Sequence, residues 1–330
     1  MTIDLKALIG AQSLAKQSTI ALPHFAVIEV TGKDAESFLH GQFTQRLTNL
    51  GDQFVLAAYC QPKGRMLATM RVWRIGKSFF LMLARDLVEG FVKRLSMFVL
   101  RSDVKIRLAE ELAVIGCMNS IEAIPQVEHI LCGENGLVFA RLPDFENVTR
   151  TYCIGNAEQF KANCHESDDS LWQVLDIVSG LGHVEAATRE AFVPQWLNFD
   201  KARGMVFDKG CYPGQEVIAR IQHIGKTSRR MFTAVANRAL ALSPNETVMV
   251  AEEPATVVSS SVLGDHTFVL IVLPVQTPCN TELSLNGTAF FVTFQFHVVA
   301  EDTDLVRFFE YIREIHHTGI TDDPTILDVQ

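Results

Sequence analysis

The 330-residue chain has no long hydrophobic run. Its longest apolar stretch, "FVLIVLPV" at 268–275, contains a proline and is far shorter than the roughly 18 residues that a membrane helix needs. The first residues, "MTIDLKALIGAQ", carry an acid at position 4 and no sustained apolar core. The sequence therefore predicts a protein without membrane helices and without a secretory signal.

The chain also lacks the cysteine patterns of disulfide-rich and zinc-binding proteins. The number of cysteines is odd, no C-x-x-C occurs, and the seven positions are widely spaced: Cys60, Cys117, Cys132, Cys153, Cys164, Cys211 and Cys279. The segment "NCHE" at 163–166 holds the one adjacent Cys-His pair, in a polar stretch without further ligands. We expect free thiols, no metal site and a reducing, cytoplasmic location.

Excess positive charge is absent from the chain as a whole, although one segment is basic. The net charge is −9, which argues against a general nucleic-acid coat and against direct nucleic-acid binding. Residues 201–230 nevertheless carry seven basic side chains against two acidic ones, whereas 301–330 carry eight acids and two bases. The basic segment indicates either a local site for an anionic ligand or a solvated face.

The hydrophobic periodicity predicts an α+β protein. From "HFAVIEVTG" at 24–32 to "VKIRLAEE" at 104–111 the pattern gives the order β-α-β-β-β-α-β, with an amphipathic helix at 85–99. Strands and helices alternate again up to about residue 200, and short strand-like segments dominate from 231 onward.

These patterns suggest four regions. We expect a first α+β domain at 1–110, a second at 111–230, a small β-barrel at 231–300, and an acidic tail with a short helix at 301–330. The second domain carries the octapeptide "KGCYPGQE" at 209–216, which holds most of the chemistry of the chain.

Cys211 and Lys209 are the candidate catalytic pair of this octapeptide. A nearby ammonium and the start of a helix, predicted from "PGQEVIARI" with Pro213 in its first turn, both favour the thiolate. A half-buried structural cysteine is the alternative. Cysteine-protease chemistry is disfavoured because neither His183 nor His223 has a recognisable dyad spacing to Cys211.

The remaining polar groups of the segment suit a heteroaromatic ligand with an acidic tail. The Glu216 carboxylate can accept two adjacent ring N–H donors, and the Gln215 amide supplies one donor and one acceptor. Lys209, Arg220 and Arg230 can meet carboxylates of the same ligand. A folate fits this set, but the residue types alone do not distinguish folate from a nucleotide, and no phosphate-binding glycine motif is present.

Four ordered motifs between about residues 24 and 300 resemble the YgfZ family of folate-binding proteins, which are relatives of the glycine-cleavage T-protein, an aminomethyltransferase. "KGCYPGQEVIAR" resembles the family signature K-G-C-[Y/F]-x-G-Q-E. The other three are "VTGKDAESFLHGQFT" at 30–44, "AAYCQPKGRMLA" at 57–68, and the leader "FVPQWLNFDKARGMVFD" that precedes the octapeptide.

The resemblance implies a T-protein-like fold, in which two α+β (ferredoxin-like) halves and a C-terminal β-barrel surround a central channel that holds tetrahydrofolate. It places two aromatic residues at the folate site, which correspond to Phe25 and Trp172. Phe25 stands where a tryptophan is common, so the stacking surface is kept and an indole N–H is lost. Without the resemblance, Trp172 is better explained as a core residue of an amphipathic helix.

One departure separates this chain from T-proteins. Those enzymes carry an acidic pair where "KGRMLATM" has Ala68 and Thr69, so we expect no aminomethyltransferase activity. The resemblance instead implies a folate-binding protein that supports iron–sulfur enzymes, including those that thiolate tRNA; whether it catalyses a reaction stays open. The alternatives are a folate-dependent one-carbon transferase or demethylase, and a binding module without folate.

Overall fold

The structure is a computed structural model and describes residues 9–10, 18–119, 125–145, 148–160, 169–225, 227–250, 253–277, 281–285 and 288–293. The predicted acidic tail and its short helix at 301–330 lie outside these residues, as do Cys164 and Cys279. Among the described residues, none of the helices combines the length and the hydrophobicity that a transmembrane span needs. The same residues contain no group of three or more His, Cys, Asp or Glu side chains arranged to hold a metal ion.

The first sheet is antiparallel and has the strand order β3-β4-β5-β2-β6. Its strands are β2 (Phe25–Thr31), β3 (Val55–Cys60), β4 (Met66–Ile75), β5 (Ser78–Ala84) and β6 (Lys105–Leu108). Two helices, α1 (Ala35–His40) and α2 (Val88–Ser96), follow β2 and β5. The predicted order β-α-β-β-β-α-β is confirmed.

The second sheet is also antiparallel, with the order β1-β7-β10-β9-β8. Its strands are β1 (Ser18–Ala21), β7 (Leu112–Met118), β8 (Ile130–Cys132), β9 (Val138–Arg141) and β10 (Arg150–Asn156). β1 comes from the first 110 residues but pairs with β7, so the start of the chain crosses to the second sheet.

Two helices follow the second sheet, α3 (Ala157–Phe160) and α4 (Ser170–Val178). The sequence predicts α4 from "DSLWQVLDIVSG" with a glycine at its end, and Gly180 indeed has φ +68°, the left-handed conformation that closes many helices. The helix packs against β7 and against two strands of the C-terminal sheet, at 253–263 and 266–274.

The third sheet consists of six antiparallel strands that pair in the order β11-β14-β13-β12-β15-β16, and β16 pairs back on β11. The strands are β11 (Arg229–Ala236), β12 (Thr247–Val250), β13 (Glu253–Leu263), β14 (His266–Pro274), β15 (Thr281–Leu285) and β16 (Thr288–Thr293). A separate apolar cluster from β11 to β14 includes Phe232, Val257 and Ile271.

Between α4 and the third sheet, the chain has little regular structure. It forms two short 3-10 turns, Ala186–Thr188 and Pro194–Leu197, and then the helix α5 (Gln215–His223). One continuous core joins the first sheet, the second sheet and α4, and it includes the buried Trp73, Tyr152 and Trp172. The irregular segment 179–214 contributes buried side chains such as Phe192 and Phe199 to the same core.

Candidate functional site

Lys209 of the octapeptide is hydrogen-bonded to the end of the motif at 30–44. Its Nζ donates hydrogen bonds to three backbone carbonyl oxygens, those of His40, Phe43 (2.7 Å) and Gln45 (2.8 Å). Burial, and then the charge of nearby Arg46, lower the pKa of Lys209 to about 8. Three carbonyl acceptors match the three N–H donors of an ammonium, so the side chain is charged at neutral pH.

The same two segments meet at further points. The Arg46 guanidinium pairs with the Asp208 carboxylate at 2.7 Å. The Thr44 hydroxyl donates to the Gly204 carbonyl at 2.7 Å, and Gln45 Nε2 donates to the Arg203 carbonyl. The motif at 30–44, with the two residues that follow it, is thus held against the leader of the octapeptide by hydrogen bonds and an ion pair.

The motif at 57–68 packs directly on the octapeptide through its turn "QPKG" at 61–64. Gly214 has φ +84°, and a Cβ there would lie 2.6 Å from the Gln61 carbonyl oxygen and 2.9 Å from the Gly64 Cα. Gly64 has φ +77°, and a Cβ there would lie 3.2 Å from the Val217 side chain. Only glycine allows this close backbone approach with positive φ.

Cys211 is exposed, four residues before α5 begins at Gln215. The helix begins about two residues later than predicted, and Pro213 and Gly214 form a turn before the helix instead of its first turn. The Lys209 ammonium, the expected activator of Cys211, is bonded to three carbonyls. Activation of the thiol by Lys209 stays a prediction.

The four polar residues proposed for the folate lie at two places. Gln215, Glu216 and Arg220 lie on α5, where the exposed Glu216 and Arg220 form an i,i+4 ion pair at 3.2 Å. Arg230 lies at the start of β11 and forms a two-pronged pair with the Asp200 carboxylate at 2.6 and 2.7 Å. A ligand that uses Arg220 or Arg230 has to share or displace these carboxylates.

Phe25 and Trp172 belong to a buried aromatic and polar cluster that we call the core cluster; its members are Phe25, Arg150, Tyr152, Trp172, Asp176 and His183. The Tyr152 ring lies 6.0 Å from that of Phe25 and 5.4 Å from that of Trp172. The Phe25 ring also meets the His183 ring edge-on at 5.1 Å. The two aromatic residues expected at the folate site are therefore brought together through Tyr152.

The core cluster is held by close backbone packing under the indole. A Cβ on Gly116 of β7 would lie 2.5 Å from the Trp172 ring. The guanidinium of Arg150 lies over the same ring, 5.6 Å from its centre. Trp172 is therefore fixed between a strand backbone and a cation.

A buried ion pair crosses the core cluster. Arg150 on β10 donates to the Asp176 carboxylate on α4 at 2.6 Å and to the Ser179 hydroxyl at 2.9 Å. Burial raises the pKa of Asp176 to about 6, against the opposing effect of Arg150. Asp176 therefore titrates close to neutral pH, as carboxyl groups at functional sites often do.

His183 lies beside this pair in its neutral form. Its Nε2 is 4.0 Å from an Asp176 oxygen, and burial, followed by the charge of His24, lowers the pKa of His183 to about 3. At the next residue, the Val184 N–H donates to the Thr69 hydroxyl at 2.9 Å. One of the two residues that stand in place of the T-protein acidic pair thus fixes the backbone next to His183.

Several polar atoms of the core cluster are buried without a hydrogen-bond partner in the described part of the chain. They are the Tyr152 hydroxyl, Arg150 Nε and His183 Nε2, together with the Trp172 indole N–H, which interacts with Asp176 and Tyr152 without a hydrogen bond of good geometry. Buried polar groups in folded proteins are normally paired, so several unpaired ones at one place indicate a bound polar group. A heteroaromatic ring with donors and acceptors on its edge fits this set.

The sequence-predicted residues thus form two sets. Phe25 and Trp172 lie in the core cluster, while Glu216 and Arg220 lie on the exposed face of α5. Within the described ranges, no hydrogen bond, ion pair or ring contact joins one set directly to the other.

Sequence reasoning missed Arg150, Tyr152, Asp176 and His183. A signal was present for two of them, because Asp176 interrupts the apolar pattern "LWQVLDIV" and Arg150 directly precedes the strand-like "TYCIG". A charged residue inside an apolar element has to find a partner when it is buried. Their pairing follows only from the packing of α4 on the second sheet.

Comparison with known proteins finds sequence relatives of this chain. No protein-family model matches the chain. The chain is 30% identical over 233 residues to the tRNA-modifying protein YgfZ of Yersinia pestis (strain Pestoides F), and the match covers 66% of this chain and 71% of the relative. It is 27% identical over 302 residues to the protein of the same name from Serratia proteamaculans (strain 568), with 85% and 91% covered.

A solved structure shares the fold. The glycine cleavage system aminomethyltransferase T from Bartonella henselae superposes with a TM-score of 0.67 over 90% of this chain and 91% of its own, at 13% sequence identity. The expected likeness to the T-protein fold is thereby confirmed. The identity to the two curated relatives explains the four ordered motifs and shows that the chain belongs to the YgfZ family.

Proposed function

We propose that this protein binds tetrahydrofolate at the core cluster and supports iron–sulfur enzymes that modify tRNA. Its curated relatives are named tRNA-modifying proteins, and its fold is that of a glycine-cleavage aminomethyltransferase. In this proposal the protein is cytoplasmic, has domain boundaries near residues 110 and 230, and surrounds a central channel with its three sheets.

The observation that carries the proposal is the set of unpartnered polar atoms beside two aromatic rings. The Tyr152 hydroxyl and the Trp172 N–H are buried without a hydrogen bond of good geometry among the described residues, and the Trp172 N–H interacts with the Asp176 carboxylate. A pterin ring has an edge of N–H donors and ring acceptors, which pairs with such a set. Phe25 and Trp172 offer apolar faces to the ring, and because both are buried, the ring can stack on them only by displacing a neighbour such as the Arg150 guanidinium.

Each residue of the proposed folate site has a defined part. The ionised Asp176 accepts N–H donors of the ring, and neutral His183 accepts or donates one more hydrogen bond. Gln215, Glu216, Arg220 and Arg230 contact the rest of the folate, with the two arginines on its carboxylates. When bound, tetrahydrofolate supplies the amines that carry one-carbon units.

Cys211 is the functional thiol in this proposal, and it lies outside the core cluster. It is exposed, in the turn between Lys209 and α5, where a partner protein can reach it. The hydrogen bonds of Lys209 and the Gly214 contact with Gly64 keep that turn in one conformation. Iron–sulfur proteins such as tRNA-thiolating enzymes are the partners that we propose.

Isothermal titration calorimetry with tetrahydrofolate tests the folate proposal. Trp172→Ala should weaken binding by roughly 1–3 kcal/mol, the range of a lost stacking contact. Asp176→Asn should also weaken binding, because the amide presents N–H donors where the carboxylate accepts the N–H donors of the ring. Lys77→Ala, in the exposed turn between β4 and β5, is the control and should bind as the unaltered protein does.

A second assay addresses the cellular role. The activity of an iron–sulfur enzyme that thiolates tRNA is measured in a strain lacking this protein, and then after return of the unaltered chain or of Cys211→Ala. The proposal expects rescue by the first and not by the second. Equal rescue by both removes Cys211 from the function.

A folate-dependent one-carbon transferase or demethylase is the second candidate, and one observation favours it. Ala68 and Thr69 provide no carboxylate, but Asp176 does, with a pKa raised to about 6 by burial. A carboxyl group with such a pKa can accept and return a proton near neutral pH. Turnover of an aminomethyl or N-methyl donor that is lost in Asp176→Asn would establish this activity.

A further inference from the structure

A cavity lies on the helical side of the first sheet. Its volume is about 140 Å³, and it lies between α2, the adjoining strands β3 and β4, and the turn at 186–189. Its lining includes Tyr59, Leu67, Asp86, Gly90, Arg94 and Arg189. None of these residues belongs to the core cluster or to the octapeptide.

One side of the cavity is a stripe along α2 and the 3-10 turn Arg85–Leu87 that leads into it. Asp86, Gly90 and Arg94 are spaced by four residues, so they lie above one another on the helical surface. A Cβ on Gly90 would meet no heavy atom within 4 Å. The glycine therefore leaves open the space between Asp86 and Arg94.

The charges around the cavity favour an anion. Arg94 and Arg189 both line it, and the one carboxylate in its lining, Asp86, already accepts the Ala186 N–H at 2.9 Å. Arg189 has a loose ion pair with Glu190 at 3.7 Å. Arg94 forms no ion pair with any carboxylate in the described part of the chain, although its guanidinium lies near the ring of Tyr59.

Two buried polar atoms of the cavity lining have no hydrogen bond of good geometry in the described ranges, although the Arg94 guanidinium interacts with the Tyr59 oxygen. One is the hydroxyl of Tyr59, a residue that is only 1% exposed, and the other is Nε of Arg94. Burial raises the pKa of Tyr59, against the opposing charge and hydrogen bond of Arg94, so the phenol keeps its proton and can donate it to an acceptor. The phenol oxygen can accept a hydrogen bond from the Arg94 guanidinium, whereas the phenol O–H still requires an acceptor.

We propose that this cavity is a binding site for a small oxyanion, a phosphate or carboxylate group, held by Arg94, Arg189 and the Tyr59 hydroxyl. The volume is that of about four or five water molecules, which accommodates inorganic phosphate or a short carboxylate. Leu67 and Phe91 provide apolar walls for a short carbon chain. This site is separate from the folate site and does not depend on it.

Calorimetric titration of the full chain with inorganic phosphate and, separately, with propionate tests the proposal. Arg94→Gln should weaken binding about 10-fold or more, since a hydrogen bond to a charged group is lost. Tyr59→Phe should weaken binding several-fold and change the thermal unfolding midpoint little, because the O–H that it removes has no acceptor among the described residues. A structural role for this hydroxyl would instead lower the midpoint.

Gly90→Leu fills the cavity from an exposed helix position, where the new side chain suits the helix, and it should abolish binding without unfolding the protein. Lys93→Gln removes a charge from the exposed face of the same helix and is the control. Binding of either probe that is lost in Gly90→Leu and Arg94→Gln but kept in Lys93→Gln supports the site, and the stronger probe identifies the oxyanion. Absence of binding at millimolar concentration, or equal loss in Lys93→Gln, overturns it.

Discussion

The Lys209 ammonium donates a 2.7 Å hydrogen bond to the Phe43 carbonyl oxygen, 166 residues earlier in the chain. With the carbonyls of His40 and Gln45, it joins two of the motifs that the chain shares with its family. Lys209→Met keeps the carbon stem and leaves three part-buried carbonyls without their donor. We expect the free energy of unfolding to fall by about 2–3 kcal/mol, measured by urea denaturation.

Lys63→Met is the matched control for this variant. Lys63 is exposed in the "QPKG" turn that contacts the octapeptide. Its replacement should change stability by no more than about 0.5 kcal/mol, as surface substitutions usually do. Equal stability of the two variants would show that the three hydrogen bonds of Lys209 have no net effect.

Cys211 should be alkylated fastest among the described cysteines. Cys60, Cys117 and Cys153 are buried, and burial raises the pKa of the Cys60 thiol, so these three should react slowly. Cys132 is exposed and provides the internal comparison. Iodoacetamide labelling across pH, followed by peptide mass spectrometry, measures the rates; a Cys132 that labels as fast as Cys211 would mean that the octapeptide does not activate its thiol.

Gly116→Ala should disturb the core cluster without adding a polar group. The new Cβ would lie 2.5 Å from the Trp172 ring, so the indole or the strand has to move. Overpacking of this kind typically costs about 1–3 kcal/mol, and we expect weaker tetrahydrofolate binding as well. Gly41→Ala, whose Cβ would have only ordinary contacts at 3.6 Å, is the control for both stability and binding.

His183 should make the protein sensitive to acid. Its pKa is about 3 in the folded state, well below the ordinary value of 6.5, so between these values the unfolded chain binds more protons. The contribution of His183 to stability is therefore lost as the pH falls from about 6.5 towards 3. Asp176, with a pKa raised to about 6 from an ordinary value of 3.8, acts in the opposite direction between these two values.

The prediction for His183→Gln follows from this balance. The drop in unfolding free energy between about pH 7 and pH 5 should be smaller in His183→Gln than in the unaltered protein, as measured by urea denaturation at each pH. His223→Gln, at an exposed position of α5, should behave like the unaltered protein. An unchanged drop in His183→Gln would show that another group causes the acid sensitivity.

Strands and helices with a strong period were predictable from sequence. The order from β2 to β6 follows from alternating or helical apolar patterns of ordinary length. β13 has a weaker signal, because "SSS" at 259–261 is typical of a loop, although Ser261 is buried and pairs with Phe268. β1 has four residues and owes its conformation to pairing with β7, which no local pattern reveals.

The residues of the candidate site also differ in how far the sequence predicts them. Phe25 and Trp172 were predicted through the family resemblance, whereas the pairing of Arg150 with Asp176 depends on how α4 packs against β10. Nothing in the residue pattern indicates that Lys209 bonds three carbonyls, because the acceptors are backbone atoms of a segment far away along the chain. Interactions of this kind depend on the tertiary fold and are not encoded locally.

A crystal structure of the protein with tetrahydrofolate tests the central claim most directly. The account predicts the ring of the ligand beside Phe25 and Trp172, with hydrogen bonds to the Asp176 carboxylate and to at least one of the unpaired atoms of Tyr152, Trp172 and His183. A ligand bound elsewhere, or a core cluster that is unchanged and empty at saturating tetrahydrofolate, would contradict it.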